Sequence, residues 1–310
     1  MANIAITPKS KMLTGKKLTR YKGLLYISPW LIGFLAFQLY PFIASFVYSF
    51  TNYNVLGTTR FIGFDNYVEL FTIDPDFLKS IKVSALYALI SVPSKLIFSL
   101  IVALLLNMKI RGINFFRTLY YLPSILGGSV AISALWKIMF MKEGTINQIL
   151  NFFGIGSVNW LGDPRFALFT ISMLQVWQFG SSMVLFLAAL KQIPVELYEA
   201  AKVDGSSKIR TFFTITFPMI TPILFFNLIM QSINALQNFT SAFVVTNGGP
   251  MKSTYLIGLK LYIEAFTNFK MGYACAISWV LFLIILALTF FTFKSSSKWV
   301  YYEDGGNLNA

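Results

Sequence analysis

Long apolar runs alternate with short polar ones along the chain, at a spacing that predicts six membrane-crossing helices. The runs fall at about 23–50, 83–106, 118–140, 166–190, 218–245 and 271–293, each near the roughly 20 residues a helix needs to cross about 30 Å of hydrocarbon. The connections at 51–82, 141–165 and 246–270 are too short for a folded domain of their own. This pattern predicts an all-α integral membrane protein with one domain over 23–293, which includes an insert at 191–217. A polar segment, 1–22, precedes the domain and a tail, 294–310, follows it. No repeat and no low-complexity segment is evident. Pro29, Pro41, Pro93 and Pro123 fall inside spans, where neighbouring helices or water must satisfy the carbonyls that proline frees, a feature that suits a bundle that moves.

Composition supports the membrane reading. Of the 310 residues, 56% are hydrophobic and 12% charged, about half the charged share of a soluble protein. There is no histidine, and a single cysteine, Cys275, excludes a disulfide within the chain. The common zinc sites and His-assisted nucleophiles are therefore absent, and no catalytic residue, metal site or cofactor bound by this chain is expected. The apolar run after residue 22 is longer than a signal-peptide core and lacks a small-residue cleavage site, so it is read as retained. The formal charge of +13 is placed rather than spread. Fifteen of the 25 Lys and Arg, against five of the 12 Asp and Glu, lie in 1–22, 107–117, 191–217 and 294–310. The positive-inside rule puts those segments, and so both termini, in the cytoplasm, which explains the charge without a nucleic acid partner.

The insert carries its own helix signals. Pro194 suits a first helical turn, Glu196 and Glu199 complement the N-terminal dipole, and Gly205 suits the left-handed residue that ends a helix. A helix over about 194–204 is predicted. Ser206 or Ser207 caps a second one, with Lys208 and Arg210 on a basic face, Phe212, Phe213 and Ile215 on an apolar one, and Pro218 opening the fifth span. By composition alone, such an insert also suits an amphipathic loop resting on lipid.

The order Glu199-Ala200-Ala201, three residues, Gly205, nine residues, Ile215, one residue, Phe217-Pro218 resembles the EAA loop of membrane subunits of binding-protein-dependent ABC importers. It departs at Phe217, where that family more often has Leu. The stretches "FIGFDNYVELF" (61–71), "FFRTLYYLPSI" (115–125), "NWLGDP" (159–164), "TNGGP" (246–250) and "MGYACAIS" (271–278) extend the resemblance to nearly the whole chain, in the carbohydrate-uptake, maltose-type branch. The resemblance implies that Glu199, Ala200, Ala201, Asp204 and Gly205 form a coupling helix seated in a groove on a separate ATPase. It also implies a second permease subunit, usually non-identical, two ATPase subunits that hold ATP and Mg, an extracytoplasmic sugar-binding protein, and a place in the bacterial plasma (inner) membrane among its lipids. No GxxxxGK[ST] motif occurs in the chain, in keeping with nucleotide chemistry on a partner.

Candidate substrate contacts lie in the spans. Asn227, Gln231, Asn234 and Asn238 follow at i, i+4, i+7 and i+11, which places four amides on one face of the fifth span. Amides donate and accept together, as sugar hydroxyls do, although polar groups in membranes also bond neighbouring helices. Gln175 and Gln178 beside Trp177 form a second, weaker set, in which the indole either stacks on a sugar ring or packs. Lys95 is the one formal charge deep in a predicted span; at mid-depth a lysine costs about 2.5–3.5 kcal/mol, so it must face protein or water. Tethering to a carbonyl and facing the pathway are both open to it. Lys137 and Lys142 are expected to snorkel.

An intramembrane enzyme is disfavoured, because the six predicted spans hold no acid. A secondary transporter or channel for a polar solute, without ATPase coupling, would be expected to carry carboxylates in its spans and needs no docking helix. A sugar importer subunit fits better, and neutral and uronate-bearing oligosaccharides both remain open as cargo.

Overall fold

The computed structural model describes residues 26–55, 57–108 and 112–301. The basic N-terminal segment 1–22, Lys109 and Arg111, and Glu303 and Asp304 of the tail lie outside the described residues. Along the chain run α1 (Tyr26–Tyr48), α2 (Pro75–Leu106), α3 (Ile113–Leu126), α4 (Val130–Met139), α5 (Thr145–Phe152), α6 (Pro164–Trp177) and α7 (Gly180–Gln192). They are followed by α8 (Val195–Val203), α9 (Lys208–Leu236), α10 (Ile257–Tyr262) and α11 (Met271–Ser296). Among the described residues β-structure is limited to one isolated bridge, between Thr51 and Phe61. Among the described residues four helices, α1, α2, α9 and α11, are long and apolar enough to cross a membrane, and the bent pairs α3/α4 and α6/α7 bring the number to six where each pair is one span.

Four expected spans differ in detail. The second begins at Pro75 rather than near 83, because the Asp74 side chain caps it by accepting from the Asp76 amide at 2.9 Å and Pro75 takes the first turn. The third and fourth are not continuous helices. α3 and α4 meet at 102° across Gly127-Gly128, with Ser129 capping α4 through the Ile132 amide, and α6 and α7 meet at 46° across Gln178-Phe179. The fifth starts in the insert and stops at Leu236, nine residues short of the expected end. In both α1 and α9 a π-helical turn, Leu35–Leu39 and Phe212–Thr216, lies just ahead of a proline, Pro41 and Pro218. The wider turn absorbs the ladder bond that proline cannot make.

α2 is the axis of the bundle and packs on α6, α7 and α9. Tyr87, Ile171, Met183, Phe186 and Ile220 are fully buried between these helices. Lipid tails are as apolar as these side chains, so close fit rather than exclusion of water holds the helices together. Ser80, Ser84, Ser91 and Ser99 supply the small surface for it, all buried on α2. Ser84 Oγ accepts from the Ile257 amide at 2.8 Å and so seats the first turn of α10. α1 lies at the periphery against α11, where Trp279 packs on Phe42 and Phe46 and donates to Ser45 Oγ at 3.2 Å.

At the end of the bundle away from the insert, Asp74 joins α2, α10 and α11. Its Oδ2 lies 2.6 Å from Lys260 Nζ and accepts from the Tyr273 hydroxyl at 2.6 Å, while Glu264 stands 3.3 Å from the same ammonium. Lys260 is 2% exposed, a buried cation with its counter-charges in place. Burial alone would raise the Asp74 carboxyl, but the bonds from Lys260 and Tyr273 and the lysine's charge outweigh it and hold the group below its ordinary value.

Candidate functional site

The two helix breaks and the end of α9 meet in one polar cavity of about 420 Å³. Each break is stabilised locally. Ser124 on α3 donates to the Gln178 carbonyl at 3.1 Å and accepts from the Ser181 amide at 2.9 Å, which satisfies both sides of the α6/α7 gap. Ser99 donates to the Phe179 carbonyl at 3.1 Å as well as to its own helix at Lys95. Irregular backbone at this depth is tolerated because it lines a cavity and its polar groups are paired. Gly127 makes the approach close: a Cβ there would lie 2.3 Å from Gln178 Cγ and 2.6 Å from the Pro123 carbonyl.

Six of the seven residues expected along a substrate path line this cavity: Lys95, Gln175, Gln178, Gln231, Asn234 and Asn238. They come from α2, the end of α6 with the α6/α7 break, α9 and the residues just past it, so the fold converges side chains that are far apart in sequence. Gln231 is 7% exposed and its Oε1 has no partner, whereas Asn234 is exposed to the cavity. Lys95 is 4% exposed, and no acidic residue lines the cavity.

The amide stripe of the fifth span does not hold as one set. Asn227 is buried outside the cavity, and its Nδ2 donates back to the Ile223 carbonyl at 3.0 Å. Asn238 lies past the end of α9, and its amide is committed, donating to the Tyr87 hydroxyl at 3.0 Å and accepting from Ser241 at 2.6 Å. The expected face fails there because the helix ends at Leu236. Trp177 packs beside Trp136, 6.1 Å between ring centroids, and is not part of the cavity lining. Gln237, Ser124 and Ser181 also line it and were not anticipated; Gly127-Gly128-Ser129 and Gly180-Ser181-Ser182, small and polar inside apolar runs, are the signal that marks the breaks.

The insert folds as a helix, turn and helix. α8 ends in a Schellman arrangement, in which the Ser206 amide bonds the Ala201 carbonyl at 2.9 Å and the Gly205 amide bonds that of Lys202 at 3.2 Å, with Gly205 at φ +70°. Ser207 then caps α9 by accepting from the Arg210 amide at 3.3 Å. The second helix of the insert is thus the first turn of the fifth span. The Tyr198 hydroxyl and Thr216 Oγ1 are 3.0 Å apart and tie α8 to the base of α9. Glu199, Ala200, Asp204 and Gly205 are exposed, with Val203 at 87%, but Ala201 is buried against its own chain and presents no surface outward. The space around Gly205 is open, so its requirement for glycine is one of backbone conformation and not of room.

Residues 75–296 match the family model described as the binding-protein-dependent transport system inner membrane component. The chain is 47% identical over 284 residues to the probable ABC transporter permease protein YesP of Bacillus subtilis, covering 91% of this chain and 92% of the relative. It is 33% identical over 303 residues to the lactose transport system permease protein LacF of Rhizobium radiobacter, covering 95% and 99%. A crystal structure of a bacterial ABC transporter involved in the import of the acidic polysaccharide alginate shares the fold, with TM-score 0.78, 24% identity and coverage of 91% of this chain and 98% of the other.

Proposed function

The chain belongs to the binding-protein-dependent transport system inner membrane component family, and from that premise we propose that it is the permease subunit of a carbohydrate ABC importer, forming half of the path for a sugar or oligosaccharide. In this reading it works in the bacterial plasma membrane beside a second permease subunit. ATP and Mg belong to two ATPase subunits on the cytoplasmic side, and a sugar-binding protein delivers cargo from the other. The sugar named for LacF supports carbohydrate as cargo. The observation that carries the reading is the convergence of uncommitted amides from Gln175, Gln178, Gln231 and Asn234 on one cavity. Such groups match the paired donors and acceptors of sugar hydroxyls.

Coupling follows from the continuity of α9. The exposed face of α8, with Glu199, Ala200, Val203 and Asp204, fits a groove on an ATPase as a short amphipathic helix does. A displacement of α8 passes through the Gly205 turn and the Tyr198–Thr216 contact into α9. Along that helix Lys208 and Gln231 are roughly 35 Å apart at 1.5 Å per residue, so it carries motion to the cavity.

The test is sugar-dependent ATPase and uptake by the reconstituted assembly, with and without its binding protein, across a panel of neutral and uronate-bearing oligosaccharides. Stimulation by one sugar, lost without the binding protein, is expected. Uptake that proceeds without the ATPase would overturn the reading in favour of a secondary transporter or channel.

A further inference from the structure

Among the described residues two lysines are buried, and they are provided for differently. Lys260 has Asp74 at 2.6 Å and Glu264 at 3.3 Å. Lys95 is 4% exposed, lines the cavity, and has no ion pair or hydrogen-bond partner among the described residues. The neighbouring hydroxyls give it no charge: Ser99 and Ser124 donate to backbone carbonyls at the α6/α7 break. Gln231 Oε1 is buried and unpartnered on the same cavity, so the site holds an uncompensated ammonium beside uncommitted amides. A buried charge is stable only with an opposite charge or a full set of dipoles around it.

We propose that the cargo is an acidic saccharide and that Lys95 selects it by pairing with a carboxylate, while Gln175, Gln178, Gln231 and Asn234 bond its hydroxyls. This rests on the reading of the cavity as a sugar path. A neutral sugar of the same size would occupy the amides and leave the ammonium without a counter-charge. A uronate supplies that charge at the point where the chain supplies none.

The experiment measures uptake by the whole transporter of a panel of uronate oligosaccharides and their methyl esters, which match in length and linkage and differ in charge. In the wild type the free acid is expected to be taken up at least about tenfold faster than its ester, as truncating or neutralising one partner of a desolvated charge pair predicts. Lys95→Met should lower the ratio by about tenfold, to whatever preference the binding protein sets, and Lys95→Arg should keep most of it. The ratio does not depend on how much variant reaches the membrane, and the binding protein's own preference enters both variants equally. An acid-to-ester ratio that Lys95→Met leaves unchanged, or a wild type that moves only neutral sugars, overturns the role of Lys95 while the importer reading stands. If the wild type moves no sugar of either kind and none stimulates the ATPase, the importer reading itself fails.

Discussion

Asn238 donates from Nδ2 to the Tyr87 hydroxyl at 3.0 Å, so the residue just past the end of α9 is bonded to the middle of α2. The contact separates two kinds of amide in the bundle, those that hold helices together and those left free towards the cavity. Tyr87 is fully buried, and its bond with Asn238 is half-buried at the edge of the cavity. Tyr87→Phe keeps the ring and removes the acceptor, and should destabilise the purified protein by about 0.5–1.5 kcal/mol. Thermal unfolding in detergent reads this directly, with uptake per folded molecule expected to stay near that of the wild type. A loss of uptake at unchanged stability would return Asn238 to the substrate path.

The free amides should behave in the opposite way. Replacing Gln231 and Asn234 together by Leu removes two partners for cargo and no bond within the chain, so stability and ATPase association should hold. Each lost hydrogen bond is worth about 0.5–1.5 kcal/mol, which makes a loss of roughly tenfold in uptake the expected scale. Asn227→Leu is the control, since its side chain only returns to the Ile223 carbonyl, and it should leave uptake unchanged. Collapse of the double variant in expression would show the amides to be structural.

The spans and the insert were legible because their signals are local. Apolar length marks a crossing, and Pro194, the acids at 196 and 199, and Gly205 mark one helix and its end. The cavity was legible only in its side chains. Gly127-Gly128-Ser129 marks where α3 breaks from α4, but nothing local states that the bend is 102° or that α9 stops at Leu236, where Asn238 pairs with Tyr87. Asp74 and Lys260 read as ordinary loop charges for the same reason, being joined by the fold alone.

Gly205 sits at φ +70° with nothing within 4 Å of an added Cβ. The size of a replacement should therefore matter little to folding, and its backbone preference a great deal. Gly205→Ala and Gly205→Glu should cost about the same, roughly 1–2 kcal/mol for a left-handed residue, and Gly205→Asn less, because asparagine adopts that conformation more readily. Co-purification with the ATPase and sugar-stimulated hydrolysis should weaken in the order Asn, Ala, Glu, with the charge of Glu adding to the strain at the docking face. Equal, normal coupling in all three would show that the turn at Gly205 does not set the position of α8.

Asp74 makes stability depend on acid in a direction that its neighbours decide. Its carboxyl is held below the ordinary value of 3.8 in the folded protein. The stabilisation is therefore fully present above the unfolded value and is lost as pH falls through the lower, folded one. Wild-type protein in detergent should lose part of its thermal stability on acidification below about pH 4, where the carboxylate facing Lys260 and Tyr273 takes up a proton. Asp74→Asn removes the charge at every pH and should be less stable than wild type at pH 7, by less than the about 3–5 kcal/mol of a wholly orphaned buried charge, because Glu264 still faces Lys260. The difference between the two proteins should narrow as the pH falls, since the wild type then loses what the variant already lacks. A gap near zero from pH 7 to pH 3 would show that Asp74 acts through its helix cap to the Asp76 amide, which the neutral amide of Asn can also make, and not through its charge.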